Sequence, residues 1–171
     1  MVEPGSYLLD ANVFIQAKNS YYSFAICLGF WNSLVGLFST GELCSIDYIR
    51  QELLRGNDDL AEWVESEVPD EFFLNTQEDA TRQQYREIIL WVQRSSQYHP
   101  LAKAAFAASA DGWLLAYAQV NNLVVVTHEQ LRVGAKNTVP IPNVCEHFGI
   151  EYQDTFNMLK ILDVQYEWNA G

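Results

Sequence analysis

The sequence predicts an α/β protein, a three-layer α/β/α sandwich around a short, mainly parallel sheet. Two apolar runs, Tyr7-Leu8-Leu9 and Leu123-Val124-Val125-Val126-Thr127, read as strands buried on both faces. Between them lie segments whose apolar residues recur at helical spacing. The last of these, opening at Asp111, runs straight into the 123–127 strand, the helix-then-strand order of a parallel α/β sheet.

Taken in order, Ser6 to Asp10 is a short buried strand, and Ala11 to Ile15 continues into a turn or helix start. From Tyr22 to Phe38, Cys27, Trp31, Leu34, Val35 and Phe38 mark a core-facing helix that Gly41 stops. Asp47 is placed to cap a short helix carrying Ile49, Glu52, Leu53 and Leu54, ended by Gly56, which sets Glu52 near the buried side rather than on the fully solvated one. Asp58 to Val68 is amphipathic through Leu60, Trp63 and Val64, and stops before Pro69. Thr76 with Asp79 resembles a capping box for a helix whose apolar face is Tyr85, Ile88, Ile89 and Val92; both helices are expected at the periphery. Leu101 to Ser109 is alanine-rich and helical in propensity. Asp111 opens a helix burying Leu114, Leu115 and Ala118, which Asn121-Asn122 breaks. A last strand near Ile150 to Tyr152 precedes a tail helix with Phe156, Leu159 and Leu162. Repeats, low-complexity tracts and linkers are absent, and 171 residues at 49% apolar content suit a single domain spanning 1–171.

No apolar run approaches the roughly 20 residues of a bilayer span, and the N-terminus lacks a secretory pattern, so a soluble, cytoplasmic protein without membrane partners is expected. Cys27, Cys44 and Cys145 have no CxxC spacing and read as reduced, buried thiols. The net charge of -12 argues against a broad electrostatic grip on nucleic acid, which draws on Lys and Arg. A polyanion would have to be held locally.

Four acids carry the chemistry: Asp10, Glu52, Asp111 and Glu129. Asp10 closes the first strand and Glu129 lies two residues beyond the 123–127 strand, and strand ends in an α/β sheet gather at one edge. Carboxylates meeting there repel one another unless a divalent cation supplies positive charge. Each residue also has a plainer reading: a cap or Asx turn for Asp10, a surface glutamate for Glu52, a helix cap for Asp111 and a loop cap for Glu129. For Asp111, composition does not choose between the two. Asn12 and Thr127 are placed to orient a ligand or bond a water, although Asn12 suits a turn equally. A lone histidine such as His128 is more often structural, and hard oxygen sites do not need one. Arg132 and Lys136 follow the acidic loop and are candidates for a phosphate, with a solvated basic patch as the alternative.

Together these residues resemble a known family. Leu8-Leu9-Asp10-Ala11-Asn12-Val13-Phe14-Ile15 resembles the opening element of PIN-domain nucleases, and Glu52-Leu53-Leu54-Arg55-Gly56 their second. Ser109-Ala110-Asp111 resembles the third, and Val125-Val126-Thr127-His128-Glu129 the fourth. Ile141-Pro142-Asn143-Val144-Cys145 with Gly149-Ile150 resembles the ending of an uncharacterised PIN branch related to VapC-type toxins. The resemblance implies Mg²⁺- or Mn²⁺-dependent cleavage of single-stranded RNA by a toxin, often dimeric, restrained by a cognate antitoxin. It implies metal binding by Asp10, Glu52, Asp111 and Glu129, with Glu129 standing where the family has Asp. It also makes residues 58–101 a helical insertion relative to a minimal PIN domain.

Two rivals stand beside it. A haloacid-dehalogenase-like phosphatase also starts with Asp after a strand, but needs a second Asp where this chain has Asn12. A non-catalytic PIN-like interaction module fits the negative charge without any chemistry.

Overall fold

A computed structural model describes residues 5–168. Its centre is a five-stranded, all-parallel sheet in the order β3-β2-β1-β4-β5. The strands are β1 (Tyr7–Leu9), β2 (Leu43–Ile46), β3 (Phe73–Leu74), β4 (Val124–Val126) and β5 (Tyr152–Gln153). β1 and β2 are buried at every position, as expected of strands covered on both faces.

Among the described residues eight α-helices lie between the strands and a ninth follows the last: α1 (Ala11–Asn19), α2 (Leu28–Ser39), α3 (Asp47–Arg55), α4 (Asp59–Ser66), α5 (Asp79–Arg94), α6 (Pro100–Ala108), α7 (Asp111–Asn121), α8 (Ile141–Phe148) and α9 (Thr155–Ile161). Helices α1, α3 and α4 pack together, as do α5, α6, α7 and α8, giving the three-layer α/β/α sandwich that the sequence predicts. Among the described residues, no helix is long and apolar enough to cross a membrane.

Several local expectations are corrected. Residues 22–27 form turns, and the helix begins only at Leu28: Tyr22 folds back to stack on Phe30 at 4.5 Å, and its carbonyl accepts from Trp31 Nε1 at 2.7 Å. Asp47 is the first helical residue of α3 rather than its cap, and Thr76 makes no capping box. The two bind each other, with Thr76 Oγ1 donating to Asp47 Oδ1 at 2.9 Å, which ties the start of α3 to the exit of β3. β3 and α8 were not expected, and the last strand lies at 152–153, two residues beyond the start predicted for it. Cys27 is half-buried, while Cys44 and Cys145 are buried; all three are free thiols.

The helix at 79–94 is not peripheral. It buries Thr81, Ile88 and Val92, and its Tyr85 ring stacks on Trp113 of α7 at 3.9 Å with 6° between planes. Trp113 stacks in turn on Tyr48 of α3 at 4.9 Å. This three-ring column is possible because position 112 is glycine: a Cβ there would meet Tyr85 Cε2 at 2.9 Å.

Candidate functional site

The strand order reverses at β1. The chain builds outward through β2 and β3, then returns to lay β4 on the other side of β1. Ligands of open α/β sheets bind in the crevice outside the carboxyl ends of the strands at such a switch point. Asp10 follows β1 and Thr127 follows β4, and the pairing of Leu9 with Val126 sets them side by side. Thr127 Oγ1 donates to Asp10 Oδ2 at 2.9 Å.

Asp10 is 1% exposed. It occupies the cap position of α1, yet its side chain makes no capping hydrogen bond. Burial pushes its carboxyl up to about 7; the charges of Glu129 and Glu52 add to the rise and the Thr127 bond opposes it. Asp111 is the first residue of α7, with its amide donating to Ser109 Oγ at 3.2 Å. It is partly open to the cleft, yet the atoms crowding it push the carboxyl up to about 8, helped by the charges of Asp10, Glu129 and Glu52.

Glu52 does not face the buried side. Ile49 and Leu53 take that face of α3 and leave Glu52 exposed beside it. Its carboxyl is raised by partial desolvation, against the pull of Arg55, and its charge is felt by both Asp10 and Asp111. Glu129 is held from two sides. Its amide donates to Thr127 Oγ1 at 3.2 Å, and its Oε2 accepts from the Ile141 amide at 2.7 Å, at the positive end of α8.

Asp111 and Glu129 line one cleft, while Asp10 lies buried outside its lining and Glu52 is exposed on α3, and the charges of Glu52 and Glu129 act on both Asp10 and Asp111. Among the described residues, however, no three His, Cys, Asp or Glu side chains stand close enough to hold a metal ion between them. The donor chemistry still suits a hard divalent cation: all the oxygens are carboxylate, and among the described residues no Lys or Arg pairs with Asp10 or Asp111.

A cleft of about 470 Å³ opens beside the carboxylates. Asp111, Glu129, Asn12 and Arg132 line it, together with Ala102, Ala105 and Phe106 of α6. Lys136 is exposed on the same loop but does not line the cleft. His128 turns to Thr155, its Nε2 2.9 Å from the hydroxyl, and burial lowers its pKa. Asn143 and Gln97, which fix the loop after β4, and Asn137 and Thr138 on the cleft wall carry no signal in their spacing. Ser109 was legible only as a hydroxyl two residues before an acid that opens a helix.

Comparison with curated proteins gives no match. A family described as a domain of unknown function, DUF4411, matches residues 7–166, nearly the whole chain and every residue of the site, and the chain belongs to that family.

Proposed function

We propose that this protein is a divalent-metal-dependent endoribonuclease that hydrolyses single-stranded RNA, with Mg²⁺ or Mn²⁺ as its cation. One observation carries the reading: two carboxyls, Asp10 and Asp111, lie at the switch point without a cationic partner among the described residues and are forced toward their neutral forms, first by burial and then by the charges of neighbouring acids, Glu129 and Glu52 for both and Asp10 for Asp111. Such an arrangement is costly as it stands and is relieved by a bound cation. Asp10 and Asp111 would hold the ion, Glu52 would add its charge from the exposed face of α3 rather than a third close ligand, and Glu129, already bound to α8, would contribute least.

When bound, a divalent cation lowers the pKa of water and neutralises charge on a phosphate. The chain's own residues do the rest. Thr127 fixes the rotamer of Asp10, Ser109 steadies the start of α7 beneath Asp111, and Arg132 on the cleft wall offers a guanidinium to phosphate oxygens, with exposed Lys136 nearby on the loop. The four PIN-like motifs support the same reading, and they alone support the toxin role, an antitoxin partner, a homodimer and a cytoplasmic setting.

A second reading, a non-catalytic interaction module, is favoured by the engagement of Glu129 with α8 and the exposure of Glu52. Incubation of the purified protein with single-stranded RNA and Mn²⁺ separates the two. The nuclease reading expects cleavage that ends on chelation and in Asp10→Asn; a wild-type protein that leaves RNA intact at every metal concentration favours the module.

A further inference from the structure

Acids are missing from several long stretches of this acidic chain, and two of them are set apart by their cations, since the others, residues 11–41 and 112–128, carry only Lys18. No Asp or Glu lies between Glu87 and Asp111, or between Glu129 and Glu146. The same stretches carry Arg94, Lys103, Arg132 and Lys136, four of the chain's 10 Lys and Arg residues.

The fold joins the two stretches. The His99 amide donates to the Lys136 carbonyl at 2.8 Å, and the Gln97 side-chain amide donates to the carbonyls of Val133 and Ala135, both at 2.9 Å. Asn143 secures the loop from its other side, accepting from the Arg132 amide at 2.9 Å and donating to the Arg132 carbonyl at 2.8 Å. Lys103 Nζ reaches the Gln93 carbonyl at 2.8 Å, which brings α6 against the end of α5 beside Arg94.

The product is an acid-free, positively charged rim built from residues 93–103 and 131–137. It borders the carboxylate cleft, which both segments help to line through Ala102 and Arg132. Among the described residues the ion pairs use Lys18, Arg50 and Arg82, so none of the four rim cations is neutralised by an acid. Leu101 and Val133, 85% and 80% exposed, stand among these charges.

We infer that this rim is a track for the phosphodiester backbone of single-stranded nucleic acid, with Arg94 and Lys103 as contacts outside the cleft. Cations left unpaired beside a cleft of opposite charge would guide a polyanion to the carboxylates while the rest of the acidic surface repels it. Exposed apolar side chains among the cations suit a strand whose bases are free rather than stacked in a duplex. The choice of nucleic acid over an acidic peptide rests on the nuclease reading of the cleft; the existence of the track does not.

The test is fluorescence anisotropy of a labelled single-stranded oligouridylate in EDTA, where binding is read without cleavage, across a series of KCl concentrations. The variant R94Q/K103Q removes both charges and keeps a polar N–H donor at each position, on a side chain one atom shorter than lysine and two shorter than arginine. R86Q/K160Q removes the same charge elsewhere on the exposed surface. With about 0.7 counterions released per phosphate contact, R94Q/K103Q should weaken binding roughly tenfold near 0.15 M salt and flatten the slope of log K against log salt by about 1.4. R86Q/K160Q should change neither. Equal losses in both variants or absence of binding in EDTA would each overturn the track, and competition by polyglutamate as effective as by unlabelled RNA would overturn its assignment to nucleic acid. If the rim variant loses binding while the wild type never cleaves, the track stands and the nuclease reading falls. If binding is untouched while cleavage depends on Asp10, the reverse holds.

Discussion

Thr127 and Asp10, 117 residues apart in sequence, are joined by a 2.9 Å hydrogen bond between the exits of adjacent parallel strands. Both side chains are buried, so the hydroxyl is the donor that holds one oxygen of a carboxylate with no cationic partner among the described residues.

Replacing that hydroxyl by a methyl should be felt at the metal. Thr127→Val removes the donor without changing volume much, so the Asp10 carboxyl should rise further and Mn²⁺ affinity fall by about tenfold or more, the usual cost of losing a group that orients a ligand. Thr127→Ser should recover most of it. Calorimetric titration with Mn²⁺ checks this; equal affinity in all three proteins would detach Thr127 from the site.

The metal-free protein should lose stability as pH rises. Asp10 and Asp111 carry folded-state pKa values of about 7 and about 8 against an ordinary 3.8, so between pH 4 and pH 8 the folded chain holds protons that the unfolded chain has released. Stability from these groups is full below pH 4 and is lost as pH climbs through 7 to 8. A tenfold difference in proton affinity between the folded and unfolded chain is worth about 1.4 kcal/mol, and Asp111, being partly open to solvent, contributes less than that conversion gives. Thermal melts in EDTA should show Tm several degrees lower at pH 8 than at pH 5, and Asp10→Asn should shrink that difference. A Tm that is flat or rising over the same interval contradicts it.

Glu129 serves α8 whatever else it does. Glu129→Ala removes the acceptor for the Ile141 amide and should cost about 1 kcal/mol, lowering Tm by about 2–4 °C for a chain of this size. Glu129→Gln keeps an acceptor and should lie close to wild type in a thermal melt. If Glu129→Ala melts like wild type, the bond contributes nothing measurable.

Gly112 is required by a neighbour rather than by its own backbone. Gly112→Ala drives a methyl into Tyr85 and should destabilise by about 1–3 kcal/mol. Tyr85→Leu in the same chain should relieve part of that loss, and urea melts of the two single variants and the double variant measure the coupling. Simple additivity would mean that the ring column does not enforce the glycine.

Much of the fold was legible because β1 and β4 are dense apolar runs and because a parallel sheet brings their exits together. Asp10 and Thr127 follow directly from that geometry. β3 was not legible, since two residues carry no period, and α8 was hidden by Pro140 and Pro142, although proline in a first turn is compatible with a helix start. Glu52 was misjudged because the apolar residues around it allow two orientations of a short helix. The bond from Glu129 to Ile141 joins a loop to a helix 12 positions on, and no local pattern encodes it.

The central claim is that Asp10 and Asp111 share a divalent cation, and direct Mn²⁺ binding to the metal-free protein tests it, read by the loss of the free-ion electron paramagnetic resonance signal at pH 7.5. Saturable binding by wild type that is abolished in both Asp10→Asn and Asp111→Asn is the predicted result. A wild-type protein that leaves the free-ion signal unchanged, or variants that bind as well as it does, would contradict the claim.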